Sequence, residues 1–335
     1  MAPMSKRARL ITGLIILTVG MTVPSLIALA AGRSDVASAI FLPVMAGMLP
    51  MGLAGPRAAL LAIPVLTVAS ALAVVAQGDA VLAALTMATT ALVIGLACRF
   101  GASRALVMVP ITVGFVVCLP PSLDADTVIN VGLVALVTVV GSLWGAGLGW
   151  VVTRKSTKPA MKPETWQRTW AYAITLAVLT GAAAGISVAT NWGHTGGWFV
   201  LTVVVVFQPY LRDAFDKTLQ RAGGTVVGIA VALVINLVIT DGTVTAILGA
   251  ILFPVAIVVL IKPQYPYWMF AAVLTPAIVL LEGSATSVVS TAFERLAATF
   301  AGAALSLVAV AVLTPLYSHY SKKAEAADAH PAPTE

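Results

Sequence analysis

The sequence predicts an all-α polytopic membrane protein of about twelve transmembrane helices, arranged as two parallel six-helix repeats. Three observations predict it: an excess of apolar residues, apolar runs long enough to cross a bilayer, and basic residues sorted to alternate loops. Of the 335 residues, 60% are hydrophobic and 10% charged, with a mean hydropathy of +1.01. Ordinary globular domains carry about 45–50% apolar and about 25% charged residues. About 20 apolar residues at 1.5 Å rise cross the hydrocarbon, and such runs follow one another almost end to end. An open sheet would leave backbone groups unpaired in lipid, and the runs lack the alternation of a membrane barrel.

Cutting at charges, Gly and Pro gives the spans 10–31, 37–54, 58–76, 80–98, 105–119 and 128–152 in the first half. The second half gives 170–190, 197–208, 223–240, 243–261, 267–281 and 296–316. Residues 1–152 and 169–317 are thus the two six-helix units, with a polar, Pro-broken linker at 153–168. A polar, Ala/Pro-rich tail from 318 to 335 is expected to be disordered. The start has the shape of a secretory signal, basic residues before an apolar run ending in Ala28-Leu29-Ala30-Ala31. At 10–31, however, the run exceeds the roughly 7–15 residues of a signal core, and it suits a first span.

Lys and Arg near span ends favour the cytoplasm. With the N-terminus inside, the cytoplasmic loops collect Lys6, Arg7, Arg9, Arg57, Arg99, Arg104, Arg154, Arg168, Arg212, Lys217, Arg221 and Lys262, and only Arg33 and Arg295 fall outside. The outer loops carry Asp35, Asp79, Asp124, Asp126 and Asp241. This sorting supports the twelve spans and puts both termini in the cytoplasm. The net charge of +6 is therefore a topology signal and no nucleic-acid patch, since the basic residues are scattered at helix ends.

The halves resemble each other weakly but in order. ALVMVPITV (105–113) aligns with AAVLTPAIV (271–279), Thr138 and Gly141 with Thr299 and Gly302, and Leu49-Pro50 with Gln208-Pro209. Equal halves of six spans share one orientation, and in such transporters corresponding short or Pro-interrupted spans point to the substrate site. The second and fifth spans of each half qualify through Pro43, Pro50, Pro110, Pro209 and Pro276; ordinary helix kinking is the competing explanation. Gly141, Gly145 and Gly149, with Gly224 and Gly228, recur every four residues and are read, with Gly302, as helix-packing positions.

Enzymatic chemistry finds little to work with. Only His194, His319 and His330 exist, Cys98 and Cys118 lack metal-ligand spacing, and Gly223-Gly224 opens no phosphate loop. No cofactor, metal or catalytic set is expected. Charges near membrane depth are few, which singles out Glu294-Arg295 at the outer start of the last span. Arg295 is either a snorkelling residue paired to Glu294 or Glu282, or a guanidinium that attracts anions at the mouth of a pathway. Trp192, Trp198, Tyr265, Tyr267 and Trp268 are expected as interfacial anchors, with stacking on an aromatic substrate as the alternative. The segment 211–221 reads as a cytoplasmic elbow with an apolar stripe of Leu211, Phe215 and Leu219, leaving Arg221 to meet either a lipid phosphate or the substrate.

The stretch WFVLTVVVVFQPYLRDAFDKTLQRAGGTVVG, with ERLAATFAGAALSLV further on, resembles the fusaric acid resistance protein-like family, which includes the aromatic acid exporters. A more distant similarity is to the plant aluminium-activated malate transporters, which are anion channels. The matching positions are Gln208-Pro209, Arg221, Gly224-Thr225, Gly228, Arg295, Thr299 and Gly302. The resemblance implies a bacterial plasma (inner) membrane permease exporting organic anions, often aromatic carboxylates. The chain departs from many members in lacking sizeable cytoplasmic domains, and its first half lacks the Arg-containing motif. The pathway residues expected are Arg295, Glu294, Arg221, Gln208, Pro209, Lys262, Trp268, Pro276 and Pro110. Membrane lipid and a small organic anion are the expected partners, and a homo-oligomer is left open. A passive anion channel and a non-transporting scaffold for envelope assembly are the alternatives. Proton coupling would draw on Glu282, Glu294, Asp79 or Asp241.

Overall fold

The computed structural model describes residues 6–154, 163–207, 211–261, 264–283 and 287–328. Among the described residues there are α-helices and one short 3-10 turn (Ala97–Phe100), and no strand. The first half holds α1 (Lys6–Ala30), α2 (Ser34–Ala39), α3 (Phe41–Leu53), α4 (Pro56–Val75), α5 (Ala80–Leu96), α6 (Met108–Cys118) and α7 (Thr127–Thr153). The second holds α8 (Trp166–Ala189), α9 (His194–Val206), α10 (Leu211–Val238), α11 (Gly242–Ile261), α12 (Tyr267–Gly283) and α13 (Val288–Asp328).

Helix starts are set by local chemistry. Asp79 accepts from the Val81 and Leu82 amides at 2.8 and 3.0 Å to cap α5. Asp126 does the same for α7 and Asp241 for α11. A carboxylate there meets amides that have no partner inside the helix and sits at the positive end of the helix dipole. Two of the carboxylates considered for proton coupling, Asp79 and Asp241, are thereby helix caps.

Eight segments are long and apolar enough to cross a membrane, and four shorter apolar helices (Ile16–Ala30, Met108–Cys118, His194–Val206, Tyr267–Leu281) stand between them. Together they correspond to the twelve runs seen in the sequence, and the chain is a multi-pass membrane protein. Three boundaries differ. The second span is bent at Ile40, between α2 and α3. The supposed elbow is no separate element, because α10 continues unbroken from Leu211 through Gly223-Gly224 to Val238. Two glycines cost only about 1 kcal/mol each in a helix, and Gly224 compensates by seating α10 on α12. Finally, α13 runs on to Asp328 through SHYSKKAEAAD, where composition suggested disorder; its Ala, Lys and Glu are strong helix formers. The linker residues 155–162 lie outside the described residues.

Close contacts give the helix directions. Gly224 rests on Trp268 and Ala271, and Gly228 on Ala272 and Thr275, so α10 and α12 run in parallel. By the same reasoning α3 parallels α7 and α9 parallels α13, whereas α5 and α8 are antiparallel, Gly95 meeting Ala173 and Gly185 meeting Ala84. Within the first half α3 packs on α7, α4 on α6 and α7, and α5 on α6. The second half pairs α9 with α13, α10 with α12 and α13, and α11 with α12. The α5–α8 seam, built from Gly95, Gly181, Gly185 and facing alanines, joins the halves.

Position in this bundle follows helix length. Residues Pro43–Pro50 of α3, Val109–Phe115 of α6, Gly196–Val204 of α9 and Leu274–Leu280 of α12 are all buried. These are the second and fifth spans of each half. Whereas α2 and α3 together make a span of 20 residues, at 1.5 Å per residue the 11 residues of α6 reach about 17 Å and the 13 of α9 about 20 Å, short of the roughly 30 Å hydrocarbon. The chain leaves helical geometry before crossing, which is tolerated where surrounding protein shields the backbone. Around them α4, α5, α7, α8, α10, α11 and α13 turn Leu, Val, Ile, Phe and Trp outward to the lipid.

Candidate functional site

Two arginines are the only charged residues among the buried polar side chains described, Arg221 at 1% and Arg295 at 2% exposure. Burying a guanidinium in apolar surroundings costs several kcal/mol unless other groups compensate it, so each marks a place where the fold tolerates that cost.

Arg295 lies on α13 against the first turns of α9. Because α13 begins at Val288, Arg295 is two turns inside the helix. Val288 and Ala292 share an apolar cluster with Ile229, Ala232, Val279 and Leu280, and Arg295 follows Ala292 by three residues along α13. Its guanidinium carbon lies 3.6 Å from the centroid of the Trp198 ring, a cation–π stack. Trp198 meets Phe115 of α6 edge-on at 4.6 Å, and Phe115 meets His194 at 6.0 Å. Next to Arg295, Glu294 accepts a 3.3 Å hydrogen bond from the Thr195 hydroxyl in the first turn of α9. The Glu282 side chain lies outside the described residues.

Trp198 is thus no interfacial anchor: it is 9% exposed and forms the platform under Arg295. Its position in the second turn of α9, beyond Gly196-Gly197, was the signal available in the sequence. Gly197 leaves the room that the Phe115 ring occupies, since a Cβ there would come within 2.5 Å of it. Sequence reasoning missed Phe115 and Thr195, whose side chains are positioned only once α6, α9 and α13 meet.

Arg221 lies on α10, near the start of α12. It belongs to the same helical face as Gly224 and Gly228, packed against the start of α12. Gln220 accepts from the Trp268 amide at 3.2 Å, and the Lys217 ammonium lies 5.5 Å from the centroid of the Tyr267 ring. The Trp268 side chain itself is 43% exposed. Pro276 is buried against Gly228; it has no N–H for the Ala272 carbonyl, which also faces Gly228. Pro110 sits in the first turn of α6, where its missing N–H costs nothing. Arg57 is exposed at the start of α4. Gln208, Pro209 and Lys262 lie outside the described residues.

Buried hydroxyls occur on the same helices. Thr225, Thr275 and Ser306, on α10, α12 and α13, have no hydrogen-bond partner among the described residues. The glycines do a different job. A Cβ at Gly145 would strike the Val44 carbonyl, one at Gly149 would lie 2.6 Å from the Met48 oxygen, and Gly141 faces Ile40 and Pro43. Gly302 faces Thr202 in the same manner. No group of three or more His, Cys, Asp or Glu able to hold a metal occurs among the described residues.

Residues 176–309 match the model of the fusaric acid resistance protein-like family. The matched segment contains Trp198, Arg221, Tyr267 and Arg295, and Phe115 lies outside it. The second half of the chain is thus similar to this family over residues 176–309, and the similarity points to membrane transport or efflux. No curated protein and no solved structure matches the chain.

Proposed function

We propose that this fusaric acid resistance protein-like chain exports small organic anions, aromatic carboxylates above all, across a bacterial inner membrane. The observation that carries the reading is Arg295, a buried guanidinium stacked on Trp198 of the short helix α9. A planar cation attracts a carboxylate, and the Trp198–Phe115 pair offers an aromatic ring a surface to lie on. The hydroxyls of Thr225, Ser306 and Thr275 supply a polar way from Arg221 toward Arg295. The basic inner ends of the helices, with both termini on that side, would concentrate anions at the cytoplasmic face. The matching helix pairings of the two halves support reading them as a parallel repeat.

A second reading, passive conductance, is favoured by one observation. Among the carboxylates whose side chains are described, a set that does not include Glu282, none is buried, and Asp79 and Asp241 are engaged as caps. Coupling to protons needs a group that changes charge during the cycle. Efflux of labelled benzoate from proteoliposomes, with and without an imposed pH gradient, tests both. Gradient-driven accumulation supports an exporter and simple equilibration supports a channel. Liposomes as impermeable as protein-free controls to a panel of carboxylates would leave the scaffold reading.

A further inference from the structure

The inner end of α10 carries a second, separate feature that the outer cluster does not explain. Arg221 is 1% exposed, yet its Nε and Nη1 donors meet no hydrogen-bond acceptor among the described residues. One turn further along α10 the buried Thr225 hydroxyl is in the same condition, and so is the Tyr267 hydroxyl at the start of α12. The phenol lies beside Arg221, close enough to feel its charge and to interact with its N–H groups, yet the pair does not reach full hydrogen-bond geometry. Two guanidinium donors and two hydroxyls, drawn from two packed helices, therefore converge without satisfying one another. Buried polar groups are nearly always hydrogen-bonded, and a buried cation needs a counter-charge.

We propose that Arg221, Thr225 and Tyr267 form an inner anion site that takes one carboxylate or phosphate group. An oxygen of such a group between Arg221 and Tyr267 accepts from both, and a second oxygen accepts from Thr225. Each of these contacts is a donor to an anion, so a cation or a neutral amide does not fit. Gly224, between Arg221 and Thr225, keeps α10 close enough to the Trp268 end of α12 for both helices to contribute. The purpose of the site rests on the anion-transport reading; its existence does not.

Binding is measured on the full chain in phosphatidylcholine nanodiscs, in an Arg295→Gln background that removes the other station. The probe is 4-fluorobenzoate, followed by fluorine NMR. The expected result is one equivalent bound, weakened at least tenfold by Arg221→Gln and about tenfold by Tyr267→Phe, the size of one hydrogen bond to a charged group. A parallel arm uses phosphatidylglycerol nanodiscs and native mass spectrometry. Phosphatidylglycerol retained by the parent and lost from Arg221→Gln identifies a lipid phosphate as the occupant and also supports the site. Equal behaviour of parent, Arg221→Gln and Tyr267→Phe in both arms overturns it, as does a parent that binds neither probe. If Arg221→Gln does not fold, parental affinity in Tyr267→Phe overturns it alone. Because no flux is measured, a protein inert in transport but intact at this site remains a distinct result.

Discussion

Gly145→Ala and Gly147→Ala place the same methyl group two residues apart on α7 and are predicted to act in opposite directions. Both sit in the interior of one helix, so each gains up to about 1 kcal/mol from the better helix propensity of Ala. At Gly147 the new Cβ meets nothing within 4 Å, and that gain is kept. At Gly145 it collides with the Val44 carbonyl, which is backbone of α3 and cannot rotate away. Overpacking costs about 1–3 kcal/mol, and the upper end applies where backbone is struck, leaving a net loss of about 2 kcal/mol. With an unfolding entropy of about 2.1 cal/mol/K per residue, 335 residues give about 0.7 kcal/mol/K. Gly145→Ala should then lower Tm by about 3 °C and Gly147→Ala raise it by about 1 °C. Thermal scans of detergent-purified protein by tryptophan fluorescence read the difference. Equal shifts, or a larger loss at Gly147, would refute the packing of α7 on α3.

Three further outcomes are expected. Asn130 is buried and holds the outer loop twice, accepting from the Leu123 amide at 2.8 Å and donating to the Pro121 carbonyl at 3.0 Å; Asn130→Ala should cost about 2–3 kcal/mol and expose residues 119–126 to added protease. Trp198→Leu removes the platform under Arg295, a contact of about 1–2 kcal/mol, so benzoate flux should fall about 5- to 30-fold while acetate flux falls less. Asp79→Asn and Asp241→Asn should leave the pH profile of flux unmoved, because both carboxylates cap helices; a shifted profile in either would place it in the transport cycle.

Much of this architecture was legible in the residues. Run lengths and basic residues gave the spans, and the prolines at 43, 50, 110 and 276 marked helices that do lie at the centre. What escaped has physical reasons. Gly223-Gly224 reads as a stop in a local window, yet contact with α12 carries α10 straight through it. A charge at position 295 reads as the end of an apolar run, whereas the helix starts at Val288 and the charge is sheltered by a ring from another helix. Trp198 looks like a belt residue because tryptophans usually are; only the meeting of α6, α9 and α13 buries it. Tyr267 and Thr225 carry no pattern of their own, and their relation to Arg221 arises from the parallel packing of α10 on α12.

The central claim is that Arg295 receives the anion. Arg295→Gln, reconstituted at the same protein density as the parent, is assayed for benzoate flux in proteoliposomes. The account predicts that flux falls to the protein-free background while the variant keeps its place in the membrane and its elution volume. Flux equal to that of the parent would contradict it.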